Sequence, residues 1–541
     1  ADDRDKAKRL RQEAEAQLRL LIESGNKFQS DFYSYRYFAS EGFLPGYNFP
    51  RLPLSCFLPG RKRANRRDDF LSRPRFLAIS EFGPQAFVYH EGSRYVVSRV
   101  ILPVTEEGTS ITVRATQCRE CGYIHPLADN PGPDLCERCG KTLPPPYENL
   151  FRMQNVSSRR RDRISSDEEE RFRLGYDLCT GVRCAERGGQ VSAPAAAVQG
   201  EDGAVLGKLI YGHAATIWRI NQGWRRRQKK DQLGFMLDTE RGIWAKNPAD
   251  DDDSEEAMSN AIQRVIPYVE DHRNCIILEP AEELSVEEMA SLQAAMKSAL
   301  QVHFQLEDRE LAAEPLPSSV DRRSILFYEA AEGGAGVLRR LVEEPGILPE
   351  VARIALELCH FDPATGEDRK RSPHGKEDCE AACYDCLLSY YNQRDHKLLD
   401  RKRLAPLLRR WAGAKVDTSP TPLSRAEQVT RLMNLAGSTL EKKWLGMVDQ
   451  TGMKLPSHAQ FLIPACHVRP DFLYQSEGAA IFIDGPVHDT DDQKKKDVAL
   501  AESLVSAGYS VVRFHHASDW GDVFAKYPSL FGKAAGGGAK P

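Results

Sequence analysis

At 541 residues, with 41% hydrophobic and 28% charged side chains, the composition is that of a soluble globular protein of about three or four domains. No run of about 18 apolar residues is present to span a membrane, and the charged start ADDRDKAKRLRQEAEAQLRLLIESG is not a secretory signal. The net charge of −4 does not announce a nucleic-acid binder, but the charge is patchy, and patches decide association more than the sum does.

The first residue is Ala rather than Met, which reads as a fragment or a processed product. Thirteen cysteines in a chain without a signal, eight of them in metal-like spacings, predict a reducing cytoplasm rather than disulfides. Residues 1–30 predict one amphipathic helix. Tyr35 to Arg67 is loop-rich, with aromatics among Gly and Pro, and ends in a basic cluster of Arg61, Lys62, Arg63, Arg66 and Arg67. Aromatics beside arginines suit single-stranded nucleic acid, and equally a packed irregular segment with a solvated loop. From Arg75 to Val104 the segments FLAIS, AFVYHEG and RYVVSRVILPV predict a small antiparallel sheet with a Glu91-Gly92 turn.

Next come two C-x2-C pairs, Cys118/Cys121 and Cys136/Cys139, separated by fourteen residues. Gly122 and Gly140 follow them, where a tight ligand turn favours glycine. Two matched knuckles predict a zinc ribbon and argue against a redox pair. SSRRRDRISSDEEE (157–170) reads as a charged linker, and 171–244 as strands and a helix. The run Arg225, Arg226, Arg227, Lys229, Lys230 fits either phosphates or a solvated loop end. NPADDDDSEE (247–256) is acidic. From Asn274 the pattern is strand, helix, strand: CIILEP, then SVEEMASLQAAMKSALQVHF opened by a Ser285–Glu288 capping box, then ILFYE. Gly333, Gly334 and Gly336 open another helix, fit for an anion or for close packing, and no Walker A follows, so this chain carries no ATPase motor.

The stretch from Leu358 to Arg401 holds Cys359, Cys379, Cys383 and Cys386. Cys383 and Cys386 form a knuckle, Cys379 lies one helical turn earlier, and Cys359 comes from another segment across the polar loop 365–376. The spacing predicts a second metal site that supplies the order a core does not, against the alternative of ordinary buried thiols. His374 is the reserve for the fourth ligand.

EGFLPGYNFPRLP, the sheet after it, FYEAAEGGAGVLRRL and the cysteine cluster followed by YNQRDHKLLDR together resemble the C-terminal region of certain superfamily-2 DNA helicases. These are the mitomycin-repair helicase type and relatives in anti-phage systems, notably the helicase-associated subunit of the DISARM system. The resemblance spans roughly residues 30–410. It implies a module that grips DNA beside a helicase motor, with Cys359, Cys379, Cys383 and Cys386 as zinc ligands and the motor in the same polypeptide or in a partner subunit.

After the linker 412–424 the pattern is helix, strand, strand, helix, strand. Arg425 to Val448 predicts a helix carrying Glu427 and Glu441; HVRPDFLY and AAIFIDG predict paired strands, with Asp471 on one and Asp484 at the end of the other. Two carboxylates so placed repel unless a divalent cation lies between them, and such a cation is what phosphodiester cleavage needs. His488, four residues beyond Asp484, is a candidate base or ligand. Arg469-Pro470-Asp471-Phe472 and Ile483-Asp484-Gly485-Pro486-Val487-His488, with VVRF, resemble the PD-(D/E)xK nuclease fold and its very-short-patch-repair-like branch. The resemblance implies Asp471 and Asp484 as ligands for Mg²⁺ or Mn²⁺, His488 as catalytic or metal-linked, and Glu441 as a helix carboxylate. Pro486 stands where the wider family has its Lys, and Lys494 to Lys496 are candidates to supply that charge.

The expected architecture is therefore multidomain, α+β and α/β. It comprises a helix at 1–30, a small β region with a zinc ribbon at 31–156, a strand–helix–strand zinc-cysteine domain at 170–411, and a restriction-endonuclease-like α/β domain at 425–533. The expected function is the DNA-binding portion of a helicase–nuclease assembly in anti-phage defence or DNA repair, with two structural Zn²⁺ ions. The alternative is a non-catalytic zinc-stabilised adaptor that docks a helicase subunit on DNA.

Overall fold

The computed structural model describes residues 53–59, 69–102, 111–127, 132–161, 175–187, 190–191, 193–245, 258–330, 336–373, 375–419, 425–463, 466, 468–475, 477–485, 500–506 and 508–532, with Arg11 and Glu15. Arg61, Lys62, Arg63, Arg66, Arg67, His374, His488, Lys494 to Lys496, Gly333 and Gly334 lie outside the described residues, as does nearly all of 1–30 and of 247–256. The fold is mixed α/β, and the chain divides into two compact units. The first comprises 1–183, 214–274 and 308–335; the second comprises 184–213, 275–307 and 336–541.

In the first unit a sheet runs in the order Asp69–Arg73, Leu54–Leu58, Val156–Arg161, Ser93–Val100, Phe87–His90. Only the Leu54–Leu58 and Val156–Arg161 strands pair in parallel in it. Phe87–His90 and Ser93–Val100 form the expected hairpin, and its turn has positive φ at both Glu91 (45°) and Gly92 (70°). That is the geometry a two-residue hairpin with right-handed strand twist requires. FLAIS differs from expectation: Arg75–Glu81 is a helix. Pro74 presets the backbone ahead of it and its carbonyl takes the amides of Leu77 and Ala78; a five-residue apolar run does not distinguish the two periods. Ser157 to Arg161 belong to a strand rather than a linker. Phe82, Phe151, Tyr176, Phe235 and Trp244 fill the core.

No helix forms within 171–244 among the described residues. Residues 205–224 are one strand, Val205–Trp224, whose part in the first unit pairs Thr216 to Trp224 with Tyr176–Arg183. Its β-branched and aromatic residues, Ile217, Trp218 and Ile220, are buried, and Trp218 stacks on Tyr268 at 4.6 Å.

In the second unit Ala195–Gln199 pairs with Lys415–Ser419. The helix Val286–Phe304 opens on the expected capping box, with the Ser285 hydroxyl accepting from the Glu288 N–H and the Glu288 carboxylate from the Ser285 N–H. It packs with Ile347–Leu358 and Arg401–Ala412. Residues 425–450 form two helices, Arg425–Leu435 and Thr439–Gln450, where one was expected. The break follows from Ser438, which caps the second helix by accepting from the Glu441 N–H at 3.1 Å. A four-stranded sheet follows in the order His458–Ala459, Phe472–Tyr474, Ala479–Asp484, Ser510–His515. The first three strands are antiparallel and the last joins Ala479–Asp484 in parallel. Trp444 packs on Phe472, Phe514 and Phe524 in the core of this region. No helix among the described residues is long and apolar enough to cross a membrane.

Candidate metal centres and acidic cluster

The first centre is built from two copies of one turn. The Cys118 N–H donates to the Tyr123 carbonyl and the Gly122 N–H to the Cys118 carbonyl; the Cys136 N–H donates to Lys141 and the Gly140 N–H to Cys136. Gly122 and Gly140 take φ of 72° and 69°, so each turn closes only with a residue that tolerates the left-handed region. Cys118, Cys121, Cys136 and Cys139 converge, their sulfurs within 4.8 Å of one another, with Cys118 to Cys139 at 3.5 Å and Cys121 to Cys136 at 3.6 Å. Four thiolates around a tetrahedral Zn²⁺ stand about 3.8 Å apart for Zn–S near 2.3 Å, so the set fits that ion. A hydrogen bond with the Cys136 sulfur, then burial, pushes the Cys121 thiol up, and the same bond pulls Cys136 down. Arginines fix the knob: Arg183 bonds Glu137 and the Ile124 carbonyl, and Arg323 pairs with Glu120. His125, 1% exposed, lies 3.7 Å from Glu137.

The second centre differs in one ligand from the expectation. Cys379, Cys383 and Cys386 come together with His360, again with ligand atoms within 4.8 Å. The His360 Nε2 is 3.2 Å from the Cys383 sulfur, while Cys383 to Cys386 is 3.6 Å and Cys379 to Cys386 is 3.8 Å. Three thiolates and an imidazole are a common tetrahedral zinc donor set. Cys359 does not join this set. It caps the Ile347–Leu358 helix at φ −79°, staying near the helical path with its side chain buried, and burial pushes its thiol up to about 12. His360 then takes φ +63°, and that reversal swings its ring to Cys383. Burial first, then Arg401, lowers the His360 pKa, which favours the neutral imidazole a metal requires. Cys379 does not lie on a helix with Cys383; turns connect them, and the Cys383 N–H points at the Cys386 sulfur at 3.0 Å.

Arg401 holds the centre from behind. It is 1% exposed. Its guanidinium donates to the carbonyls of Cys379 (2.6 and 3.0 Å) and Cys359 (3.2 Å) and is bidentate to Asp368 (2.7 and 3.1 Å). Against the pull of partial burial, those bonds keep the Asp368 carboxyl below its usual range. One buried cation thus ties the segments bearing Cys359–His360, Asp368 and Cys379. Neither His360 nor Arg401 has a spacing signal that marks such a role in the sequence.

The acids of the C-terminal sheet meet at one place without forming a tight ligand set. Asp471 precedes Phe472–Tyr474 and accepts from the Ile483 N–H at 2.7 Å. Gln460 Nε2 donates to both Asp471 (3.2 Å) and Glu441 (3.1 Å). Glu441 also accepts from the Gly437 N–H at 2.8 Å, so it serves the start of its own helix. Asp484, 7% exposed, takes Arg513 on both oxygens at 2.9 and 3.1 Å. Burial, helped by Glu441 and Asp484 and opposed by the Ile483 and Gln460 hydrogen bonds, pushes the Asp471 carboxyl up to about 6. Among the described residues the groups that bring three or more ligand atoms within 4.8 Å are the two thiol-based ones. Gln460 and Arg513 are the residues sequence reading missed; VVRF carried Arg513 only as part of a resemblance.

Of the basic run at the end of Val205–Trp224, Arg225 donates to the Tyr176 carbonyl and Arg227 pairs with Asp177 at 3.0 Å, whereas Arg226 is exposed.

The donor sets define a protein with two zinc-type centres, one of four cysteines and one of three cysteines and a histidine. The family described as the MrfA Zn-binding domain (MZB) matches residues 292–387, the segment that runs into the second centre as far as Cys386 and Leu387. No curated protein sequence matches the chain. Among solved structures it is similar to the DUF1998 helicase MrfA in a crystal structure bound to DNA, at 11% identity and a TM-score of 0.30. That alignment takes in 66% of this chain and 33% of the MrfA chain, so this chain spans about a third of the helicase.

Proposed function

We propose that this chain is the DNA-handling portion of a helicase–nuclease assembly. The observation that carries this reading is the joint occurrence of a matched MrfA-type zinc-binding segment and a separate carboxylate cluster on a sheet of its own. The zinc centres order loops that lack a core, and the modules they staple lie against DNA beside a superfamily-2 motor, in the same polypeptide or a partner subunit. The resemblance to DISARM and mitomycin-repair helicase regions points to anti-phage defence or DNA repair as the setting.

The C-terminal sheet supports a metal-dependent nuclease of the PD-(D/E)xK type. A helix with Glu441, three antiparallel strands and a fourth joined in parallel to the third put Asp471 and Asp484 near one another. A divalent cation there would supply an activated water and a screen for the phosphate charge. Asp471, Asp484 and Glu441 would hold it, and His488 would act as base or further ligand. Arg513, bonded to Asp484, stands in the electrostatic role of the Lys that Pro486 replaces.

The same ion pair favours a second reading. An Asp484 neutralised by Arg513 is also what a degenerate, DNA-binding adaptor would keep. Incubating the chain with linear duplex and single-stranded DNA and Mg²⁺ or Mn²⁺ separates the two. The nuclease reading expects cation-dependent cutting that Asp484→Ala removes; an unmodified chain that never cuts leaves the adaptor.

A further inference from the structure

The segment after the second centre is aromatic on its outside. Tyr384, between Cys383 and Cys386, is 71% exposed, and Tyr390 and Tyr391 are 77% and 61% exposed. Among the described residues these are three of the four exposed tyrosines, gathered within eight positions. They are held in place. Tyr390–Asp395 is a 3-10 helix opened by Ser389 and Asn392, and His396 Nε2 contacts the Ser389 carbonyl at 3.0 Å and Asn392 at 3.1 Å. Tyr384 meets the His396 ring edge-on at 6.0 Å, and Tyr390 meets Tyr391 edge-on at 5.6 Å. Lys297 lies 5.6 Å over Tyr391; Arg394, Lys397, Lys402 and Arg403 follow in the sequence and are exposed, Arg403 pairing with Asp400 at 3.3 Å, and Asp385, Asp395 and Asp400 are the interleaved acids.

We infer that Tyr384, Tyr390 and Tyr391 form a stacking platform for the bases of single-stranded DNA, with the surrounding lysines and arginines taking its phosphates. This rests on the DNA-handling reading above and adds to it the strand form and the residues. Two features choose this occupant over a protein partner. From 375 to 403 every exposed large hydrophobic is a tyrosine, Leu387 and Leu399 being buried and Leu388 and Leu398 half-buried, so the exposed apolar surface of this stretch consists of rings alone. Ring faces bordered by cations match a polymer of flat bases linked by anions, and stacking is sequence-tolerant because every base has a π-face. Tyr384 lies on the turn between Cys383 and Cys386, and Tyr390 and Tyr391 open the 3-10 helix held by Ser389, Asn392 and His396, so the geometry is set before the strand arrives.

The test is fluorescence anisotropy on the full zinc-loaded chain without Mg²⁺, using a labelled oligothymidylate, an abasic oligonucleotide of equal length, and a duplex. Stacking predicts that the unmodified chain prefers the thymidylate to the abasic strand by about 100-fold. Replacing all three tyrosines with Ala erases that preference, and replacing all three with Phe keeps it, at unchanged zinc content. Equal binding of thymidylate and abasic strands by the unmodified chain, with duplex also bound, overturns the platform and leaves the DNA-handling reading standing. No binding of any of the three overturns both. The strand comparison on the unmodified chain decides the matter even where the alanine variant does not fold.

Discussion

The two thiol centres and the carboxylate cluster are both sets of metal-type ligands, and they relate to the fold in opposite ways. Around Cys118–Cys139 and His360–Cys386 the ligands sit on turns, much of the intervening chain is exposed, and Cys139 itself is at the surface. There the ligands are the local core. Around Asp471 and Asp484 the core is already complete without them, because Trp444, Phe472, Phe514, Phe524 and Phe531 are all buried together. Glu441 and Asp471 instead share the amide of Gln460, and Asp484 takes Arg513. Ligands that build structure tolerate no loss, while ligands placed on finished structure can be altered with the fold intact.

The largest effect that sharpens this contrast comes from stripping metal. Zinc binding to such sites is worth on the order of 10 kcal/mol and is folding energy. Chelation, or Cys383→Ser at the second centre, should therefore open the segment Tyr384–Leu399 to proteolysis while Thr439–Gln450, Phe472–Tyr474, Ala479–Asp484 and Ser510–His515 stay protected; equal protection of both would break the comparison. Next is Arg401→Ala, which leaves Asp368 uncompensated and frees the Cys359 and Cys379 carbonyls, a loss of about 3–5 kcal/mol in chemical denaturation.

A smaller effect is pH-dependent. The Asp471 carboxyl is held at about 6 in the folded chain, above its ordinary 3.8, so the folded state binds its proton more tightly than the unfolded state does. Its stabilising contribution is present below pH about 4 and is lost as pH rises through about 6. Asp471→Asn should remove that slope, roughly 2 kcal/mol of difference between urea denaturation at pH 4 and pH 7 in metal-free buffer. Cation-dependent cutting should run the other way, rising through pH 6 as Asp471 ionises. Smallest at the metal is Cys359→Ser, which should leave bound zinc unchanged because Cys359 stands outside the ligand set.

Much of this was legible in the residues. Paired knuckles with a trailing glycine announce their own turn, since Gly122 and Gly140 fill positions few other residues can. The Glu91-Gly92 hairpin and the Ser285 cap were equally local. What escaped depends on distant chain. Val205–Trp224 runs on as a strand to Trp224 because Tyr176–Arg183 pairs with its residues from Thr216, while FLAIS, a local exception, became a helix behind Pro74. His360 replaced Cys359 through a single change of φ, to +63°, which no spacing rule encodes. Arg401 looked like an ordinary first-turn residue; its role comes from three backbone segments that meet only in the fold.

The most direct measurement is the zinc content of the purified folded chain and of its His360→Ala variant. The account predicts two ions per unmodified chain and one in the variant. A folded chain carrying close to none, or a variant that keeps both, would contradict it.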